Sequence, residues 1–333
     1  MVHMRLLLVC AGVMLPVLAI GQSVADQVSE HARQLHMRAI VVDTHDDTTQ
    51  RLLDKSFDIA KRNTTGNIDI PRMREGGLDA IFFSIWMTGD ITGPPAVKRA
   101  LDQIDAVREA VRTHPSELVL ATTASEIRQA HAAHKIAALM GVEGGHMIDS
   151  DLAVLRTFAA LGVRYMTLTH SVNTPWADSS GDKPAHDGLT PFGKDVVREM
   201  NRLGIMVDIS HVADKTFFDA LETTKVPVIA SHSSARAIAN APRNMTDDML
   251  RAVTKNGGVV MVNYHAGFLS EEFRVAKPGP ALQAKLDAVS KRCGDNEGCS
   301  IPATDSLYHE AMLNGEMPKV SWEKIVDHID HIA

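Results

Sequence analysis

Residues 41–47, VVDTHDD, begin as an apolar β-strand and end in an imidazole and three carboxylates. Side chains two residues apart on a strand project to the same side, so His45 and Asp47 would offer a nitrogen and an oxygen to the same metal ion. The alternative is a polar turn in which the Asp and Thr side chains bond the nearby backbone. The stretch taken alone favours the turn, because short His/Asp motifs often arise by chance.

Six further apolar runs of strand length follow, separated by amphipathic stretches typical of helices. Together with the first, the predicted strands lie near 38–44, 79–85, 136–142, 163–169, 204–210, 226–231 and 258–264. Apolar strands that alternate with helices predict a parallel sheet covered on both faces, either an open doubly wound sheet or a (β/α)8 barrel. No glycine-rich phosphate loop follows the first strand, which disfavours a dinucleotide-binding sheet.

Polar side chains that bind metals follow five of these strands at the point where each strand ends. They are His45 and Asp47 after the first strand, Glu143 after the third, His170 after the fourth, His211 after the fifth and His232 after the sixth. In a barrel, the carboxyl ends of the strands surround one mouth, where active sites of this fold lie. The repeated pattern therefore favours a barrel with a metal site, and it reverses the preference for a turn at 41–47.

Three imidazoles and two carboxylates are more ligands than one catalytic zinc ion takes from a protein, which is usually three. We therefore expect two metal ions, with His45 and Asp47 on one, His211 and His232 on the other, and Glu143 bridging them. Two ions about 3.5–4 Å apart hold a hydroxide between them and polarise a carbonyl group. The mixed ligand set favours zinc, with manganese, iron and cobalt as alternatives.

The motifs around these residues resemble those of the membrane (renal-type) dipeptidase family, peptidase family M19. The resemblance runs from about residue 37 to the C-terminus and rests on DTHDD, GVEGGH, GVRYMTLTHSVNTPWADSS, GLTPFGKDVVREMNRLGIMVDISHV and SHSSARAIANAPRNMTDDMLRAV. It implies an α/β fold, a TIM-like (β/α)8 barrel of the metal-dependent hydrolase type. It also implies a binuclear zinc dipeptidase that tolerates a D-residue on the C-terminal side. The implied zinc ligands are the same five residues: His45, Asp47, Glu143, His211 and His232.

The resemblance assigns roles to two further residues. His170 matches a histidine that contacts the substrate and donates to the oxyanion formed during catalysis, and its alternative role is a hydrogen bond to the following loop. Arg243 matches an arginine that binds the free carboxylate of the dipeptide through two hydrogen bonds, and its alternative is a solvated loop arginine. A homodimer is also implied.

Seven strands are predicted, whereas the barrel has eight, and the final segment SWEKIVDHIDHIA is typical of the helix before the eighth strand. We therefore expect a chain truncated at its C-terminus. In the family, the missing strand ends in an aspartate that moves a proton to the leaving amine. We therefore expect this chain to have no assigned residue for general acid–base catalysis. Two alternatives to a dipeptidase stay open: a non-catalytic metal- or peptide-binding relative, and another binuclear amidohydrolase-type hydrolase.

Residues 1–21 contain one arginine, an apolar run and small residues before a cleavage site after Gly21, which is typical of a secretory signal peptide. Residues 22–333 would then form the barrel domain. Export to a bacterial periplasm or to the medium permits a disulfide between Cys293 and Cys299. The net charge of −7 and the lack of basic runs argue against nucleic acid as a partner. No segment after the signal is apolar enough to span a membrane.

Overall fold

The structure is a computed structural model that describes residues 28–294 and 297–333. Eight parallel strands form one sheet in it. In chain order they are β1 (Val42–Asp46), β2 (Ala80–Trp86), β3 (Leu118–Leu120), β4 (Ile136–Glu143), β5 (Val163–Thr167), β6 (Met206–Asp208), β7 (Ile229–Ala230) and β8 (Val259–Val260). All seven predicted strands are present, and β3 is the strand that was not predicted. Three residues are too few to show a periodic pattern in the sequence.

Helices alternate with the strands, as predicted. They are α1 (Glu30–Arg38), α2 (Thr49–Leu52), α3 (Ile70–Glu75), α4 (Pro94–Thr113), α5 (Ala124–Ala132), α6 (Leu152–Leu161), α7 (Pro191–Leu203), α8 (Asp214–Thr223), α9 (Asp247–Asn256), α10 (Ala266–Leu269), α11 (Glu271–Val275), α12 (Pro280–Cys293), α13 (Glu297–Asn314) and α14 (Glu323–Ile332). A 3₁₀ helix, Gly145–Ile148, follows β4. Residues up to Ala39 form a unit of their own, in which α1 is the described helix, and Ile40–Ala333 form the second unit.

The main path of the sheet contains seven strands in the order β1-β2-β4-β5-β6-β7-β8, and β3 is a branch that pairs with β4. Since β2 pairs along the whole of β4, β3 must lie on the opposite edge, next to the start of β4. On that same edge, β5 pairs with the later half of β4. Within the described residues, no pairing joins β8 to β1. The fold is therefore the predicted parallel part of a (β/α)8-type barrel, with seven strands on its path.

The strands are apolar on both faces because each face contacts a different part of the core. Every residue of β2 and β4 is buried. Phe83 and Met140 belong to the large cluster that includes helix residues such as Phe158, whereas Phe82 and Leu139 belong to a smaller cluster. Alternate residues of a strand face opposite sides, so the smaller cluster lies on the inner face of the sheet. Glu143 lies on this inner face, four residues beyond Leu139.

Three predictions concern the compartment of the protein. The predicted signal peptide, 1–21, lies outside the described residues. Cys293 and Cys299 form a disulfide in the structure. Of the helices within 28–294 and 297–333, none combines the length and the hydropathy that a membrane span requires.

Candidate metal centre

Four imidazoles from four strand ends face one carboxylate, that of Glu143. Glu143 is the last residue of β4 and its side chain is only 4% exposed. Its Oε1 atom lies 2.9 Å from His211 Nε2, 3.2 Å from His232 Nε2 and 3.8 Å from His170 Nε2. Its Oε2 atom lies 3.3 Å from His45 Nε2. Both oxygens of the carboxylate therefore face imidazole nitrogens, which is the arrangement that a bridging ligand requires.

Two groups of three side chains in the described part of the chain could each hold a metal ion. One group is His45, Glu143 and His232, and the other is Glu143, His170 and His211. Within each group the ligand atoms all lie within 4.8 Å of one another. Both groups share Glu143, but they divide the histidines differently from the predicted scheme, which pairs His211 with His232.

An irregularity at the end of β1 positions His45 and Asp47. The pairing between β1 and β2 shifts register between Asp43 and Asp46, so one strand gains a residue there. His45 thus lies inside β1, whereas the sequence predicted that it follows the strand. Asp47 Oδ1 lies 3.4 Å from His45 Nε2, and the Asp47 side chain is 54% exposed. The structure therefore places Asp47 at the rim of the cluster and outside the two three-residue groups.

Two of the imidazoles also form a hydrogen bond through Nδ1, the ring nitrogen that does not face Glu143. His45 Nδ1 lies 2.9 Å from Tyr165 Oη, and His232 Nδ1 lies 2.8 Å from Ser231 Oγ. Tyr165 can reach His45 because its neighbour on β4 is Gly141, where a Cβ atom would be 2.0 Å from the tyrosine ring. Metal-bound histidines usually have such a partner, which orients the ring.

Burial and the neighbouring charges determine the charge of Glu143 and His45. Burial raises the pKa of Glu143, but His45 and His170 outweigh this effect and hold the pKa well below its ordinary value. Burial lowers the pKa of His45, but Glu143 outweighs it and raises the pKa well above its ordinary value. Glu143 is therefore an anion, and a proton on His45 competes with any metal ion for its ring nitrogen.

Burial keeps the other two predicted imidazole ligands neutral. It lowers the pKa of His211 to about 3 and that of His232 well below its ordinary value. The Nε2 atoms of these two rings are 2.9 Å apart. Because two bare lone pairs repel at that distance, one nitrogen must carry a proton or a cation must lie beside both. Neutral imidazoles around an anionic carboxylate are the donor set that divalent metals bind, so the residues fit a metal centre.

His170 and Arg243 border the cluster and retain unused hydrogen-bonding groups. His170 Nδ1 is buried and has no hydrogen-bond partner among the described residues. The Arg243 guanidinium donates to Ser233 Oγ at 3.0 Å and to the His232 carbonyl at 2.8 Å. Its Nε–H is also buried without a partner in the described part of the chain. Burial lowers the pKa of Arg243 to about 10, so the group is still a cation at neutral pH.

Sequence reasoning missed two residues that hydrogen-bond to the candidate ligands, Tyr165 and Ser231, and also the buried Asp208, which hydrogen-bonds to Ser231. Asp208 ends β6 as Glu143 ends β4, so its position was a signal that could have been used. Tyr165 and Ser231 carried no such signal, since a strand tyrosine and a serine before a histidine are common features.

Comparison with known proteins agrees with this geometry. A family model for membrane dipeptidase, peptidase family M19, matches residues 29–333. The chain belongs to this family. This dipeptidase-family chain is also 42% identical over 254 residues to Dipeptidase 3 of Mus musculus, an alignment that covers 73% of this chain and 50% of the relative. It spans about half the length of the curated relatives it matches.

Solved structures of metallopeptidases are similar to this M19 family member along most of its length. One is a metallopeptidase from Rhodobacter sphaeroides liganded with a phosphinate mimic of the dipeptide L-Ala-D-Ala. It is 25% identical with a TM-score of 0.66, and the match covers 87% of this chain and 99% of that chain. Another is dipeptidase AC, which is 28% identical with a TM-score of 0.67, over 86% of this chain and 94% of that one. The predicted family and fold are confirmed.

Proposed function

We propose that this chain acts as a zinc-dependent dipeptidase on substrates with a free C-terminal carboxylate. The observation that carries the proposal is the convergence of His45, His170, His211 and His232 on the Glu143 carboxylate. Membership of the M19 family supports the same reaction class.

We propose that two zinc ions bind this cluster, with Glu143 as the bridging ligand. The other proposed ligands are His45, Asp47, His211 and His232. Imidazole and carboxylate ligands suit zinc, and the exposed Asp47 carboxylate at the rim is free to turn toward a cation beside His45. When bound, a metal pair supplies a water molecule of lowered pKa and polarises the scissile carbonyl.

We propose that His170 contacts the scissile carbonyl group of the substrate and that Arg243 binds its C-terminal carboxylate. His170 Nε2 faces the cluster, where its N–H would donate to the carbonyl oxygen as negative charge develops. The unpaired Nε–H of Arg243, together with a terminal N–H, can form two parallel hydrogen bonds with a carboxylate. This requirement restricts substrates to short peptides with a free C-terminus. The relative liganded with an L-Ala-D-Ala mimic supports tolerance of a D-residue at that end.

Metal analysis combined with peptide hydrolysis tests this function. We expect two zinc ions per chain and hydrolysis of L-Ala-D-Ala, with activity reduced about 10²-fold or more in Glu143→Gln. Two metals without turnover would contradict the dipeptidase and favour the non-catalytic relative. Turnover of a lactone or a nucleoside without dipeptide hydrolysis would favour the other binuclear hydrolase.

The role of Arg243 is tested with the amidated dipeptide, which has no carboxylate. The parent chain should prefer L-Ala-D-Ala over its amide, and Arg243→Lys should reduce that preference mainly through KM. Arg251→Lys is the matched control, because Arg251 is exposed and its ion pair is with Asp248 on the same helix. Equal preference for the free and amidated peptides in the parent would rule out this role.

We also propose that the protein is exported and forms a homodimer. The Cys293–Cys299 disulfide supports an oxidising compartment. Cell fractionation and sedimentation velocity measure these two properties, and a reduced, monomeric cytoplasmic protein would contradict both.

A further inference from the structure

A buried aspartate and a serine lie behind His232. Asp208 is fully buried at the end of β6. Its Oδ1 atom accepts hydrogen bonds from the backbone N–H groups of Ser210 at 3.0 Å and Ser231 at 2.9 Å. Its Oδ2 atom accepts from Ser231 Oγ at 2.6 Å and from Thr167 Oγ1 at 2.5 Å. Asp208 contacts neither the proposed substrate groups nor the Glu143 carboxylate through any of these bonds.

The single hydroxyl proton of Ser231 determines which nitrogen of His232 carries a proton. Ser231 Oγ lies 2.6 Å from Asp208 Oδ2 and 2.8 Å from His232 Nδ1, whereas Ser210 Oγ is farther away at 3.4 Å. A carboxylate has no proton to donate, so the serine hydrogen points to Asp208. Ser231 Oγ then offers only lone pairs to the ring, and His232 Nδ1 must be the donor. The lone pair of the neutral ring is therefore on Nε2, which faces Glu143 Oε1 at 3.2 Å.

We propose that Asp208 is a positioning residue for the metal centre, which acts through Ser231 to fix the His232 tautomer that can bind a metal. The inference rests on the proposed metal centre and assigns a role to a residue outside its ligand set. A partner on the second ring nitrogen orients a metal-bound histidine, and its loss typically reduces metal affinity about 10–100-fold. Here a serine hydroxyl transmits the effect of the carboxylate to the ring.

Asp208→Asn tests this relay from Asp208 through Ser231 to His232, because an amide has nearly the same shape but reverses the two hydrogen bonds that Oδ2 accepts from Ser231 and Thr167. Its oxygen can still accept the two backbone N–H groups, so its NH2 group faces Ser231 Oγ and donates to it. The serine hydrogen then turns to His232 Nδ1, and the ring proton moves to Nε2, where it blocks the metal. We expect the zinc affinity, measured by competition with a chromophoric chelator, to fall about 10–100-fold.

A second measurement does not depend on metal. The ¹⁵N NMR signals of His232 in the zinc-free chain, identified by comparison with His232→Gln, should report a proton on Nδ1 in the parent. In Asp208→Asn they should report a proton on Nε2. An unchanged tautomer would overturn the inference, whatever the zinc affinity.

Thr167→Val is the matched control, because it removes a different hydrogen bond to the same Oδ2 atom and leaves the relay intact. It should lose thermal stability but keep the zinc affinity of the parent. Ser231→Ala removes the relay directly and serves if Asp208→Asn does not fold; its zinc affinity should also fall. Equal zinc affinities in Thr167→Val and the relay variants would overturn the inference. If the parent binds no zinc, the proposed function fails, whereas the tautomer comparison still decides the relay.

Discussion

Three of the buried carboxylates in the described part of the chain, those of Asp69, Glu143 and Asp208, show that burial alone does not identify a metal ligand. Asp69 caps α3, where it accepts hydrogen bonds from Arg72 N at 3.0 Å, Arg72 Nε at 2.8 Å and Asn63 N at 2.9 Å. Asp208 is likewise enclosed by serine and threonine donors. Of the three, Glu143 is the one whose neighbours are imidazoles, and those neighbours distinguish it as the candidate ligand.

The charge of Asp69 should contribute measurably to stability. Burial raises the pKa of Asp69, but Arg72 and the Asn63 N–H outweigh it and lower the pKa from 3.8 to about 2. Its contribution is therefore complete above pH 3.8 and is lost as the pH falls through about 2. Asp69→Asn keeps a capping side chain but loses the charge, so we expect a loss of about 1–3 kcal/mol in the free energy of unfolding at pH 7. Urea unfolding at pH 7 and pH 3 measures it, and the difference from the parent should narrow at pH 3.

Asp151→Asn is the control for this substitution. Asp151 is an exposed N-cap of α6 that accepts from Ala153 N, and Asn caps a helix equally well. We expect almost no change in stability, and an equal loss in both variants would show that the Asp69 charge is unimportant.

Among the elements, α14 is attached to the segment after β7 through a buried histidine. His328 is fully buried, accepts from Ala235 N at 2.9 Å through Nδ1, and donates to the Leu269 carbonyl at 3.1 Å through Nε2. That segment carries both His232 and Arg243. The helix was predicted from its pattern, but the sequence did not indicate that one of its histidines is buried and paired to two backbone groups.

Removal of the His328 ring should destabilise the protein more than removal of its neighbour one turn away. His328→Leu leaves a backbone N–H and a carbonyl buried without partners, so we expect a loss of about 1–3 kcal/mol in the free energy of unfolding. His331→Leu is the matched control on the same helix; its ion pair with Asp247 is largely exposed and worth less than about 1 kcal/mol. Equal losses in urea unfolding would contradict the proposed attachment.

The contribution of His328 to the free energy of unfolding should depend on pH. Burial lowers the pKa of His328 below its ordinary 6.5. The unfolded chain therefore takes up a proton first, and the contribution of the neutral ring is present above pH 6.5 and decreases on acidification. The difference between His328→Leu and the parent should be larger at pH 8 than at pH 5.

For the whole molecule, the candidate metal centre connects strand ends that are far apart in the chain. Thr44 Oγ1 donates to the Ser231 carbonyl at 2.6 Å across a separation of 187 residues. The candidate ligands on either side of this contact, His45 and His232, belong to one three-residue group. A metal ion bound there stabilises the folded chain, because the unfolded chain does not bring these residues together.

Zinc should therefore raise the melting temperature of the chain. At free zinc about 100 times the Kd, binding adds about 2.7 kcal/mol, which corresponds to roughly 4 °C for a unit as long as Ile40–Ala333. Differential scanning calorimetry in zinc and in EDTA measures the shift. Glu143→Gln removes the shared ligand and should show almost no shift, whereas Asp151→Asn should shift as the parent does. The same melting temperature for the parent in zinc and in EDTA would exclude a metal centre.

Local sequence was sufficient for seven of the eight strands, for some of the helix ends and for the types of candidate ligand. Apolar runs of strand length produced β2 and β4 within a residue or so of the predicted limits, because burial on both faces of a parallel sheet leaves a continuous pattern. Glycines after α6, α7 and α9 have the positive φ that ends a helix. The five strand ends that carry candidate ligands were predicted in the same way, because the order of strands and polar residues lies within short segments.

The assembled fold was needed for everything that depends on distances between segments. Asp47 lies at the rim, just after a register shift in β1, and His170 joins a candidate ligand group because β5 and β6 are neighbours in the sheet. The hydrogen bonds from Asp208 through Ser231 to His232 also cross from one strand end to the next. Such contacts depend on strand register, and the physical interactions that set them are made between residues that no local pattern connects.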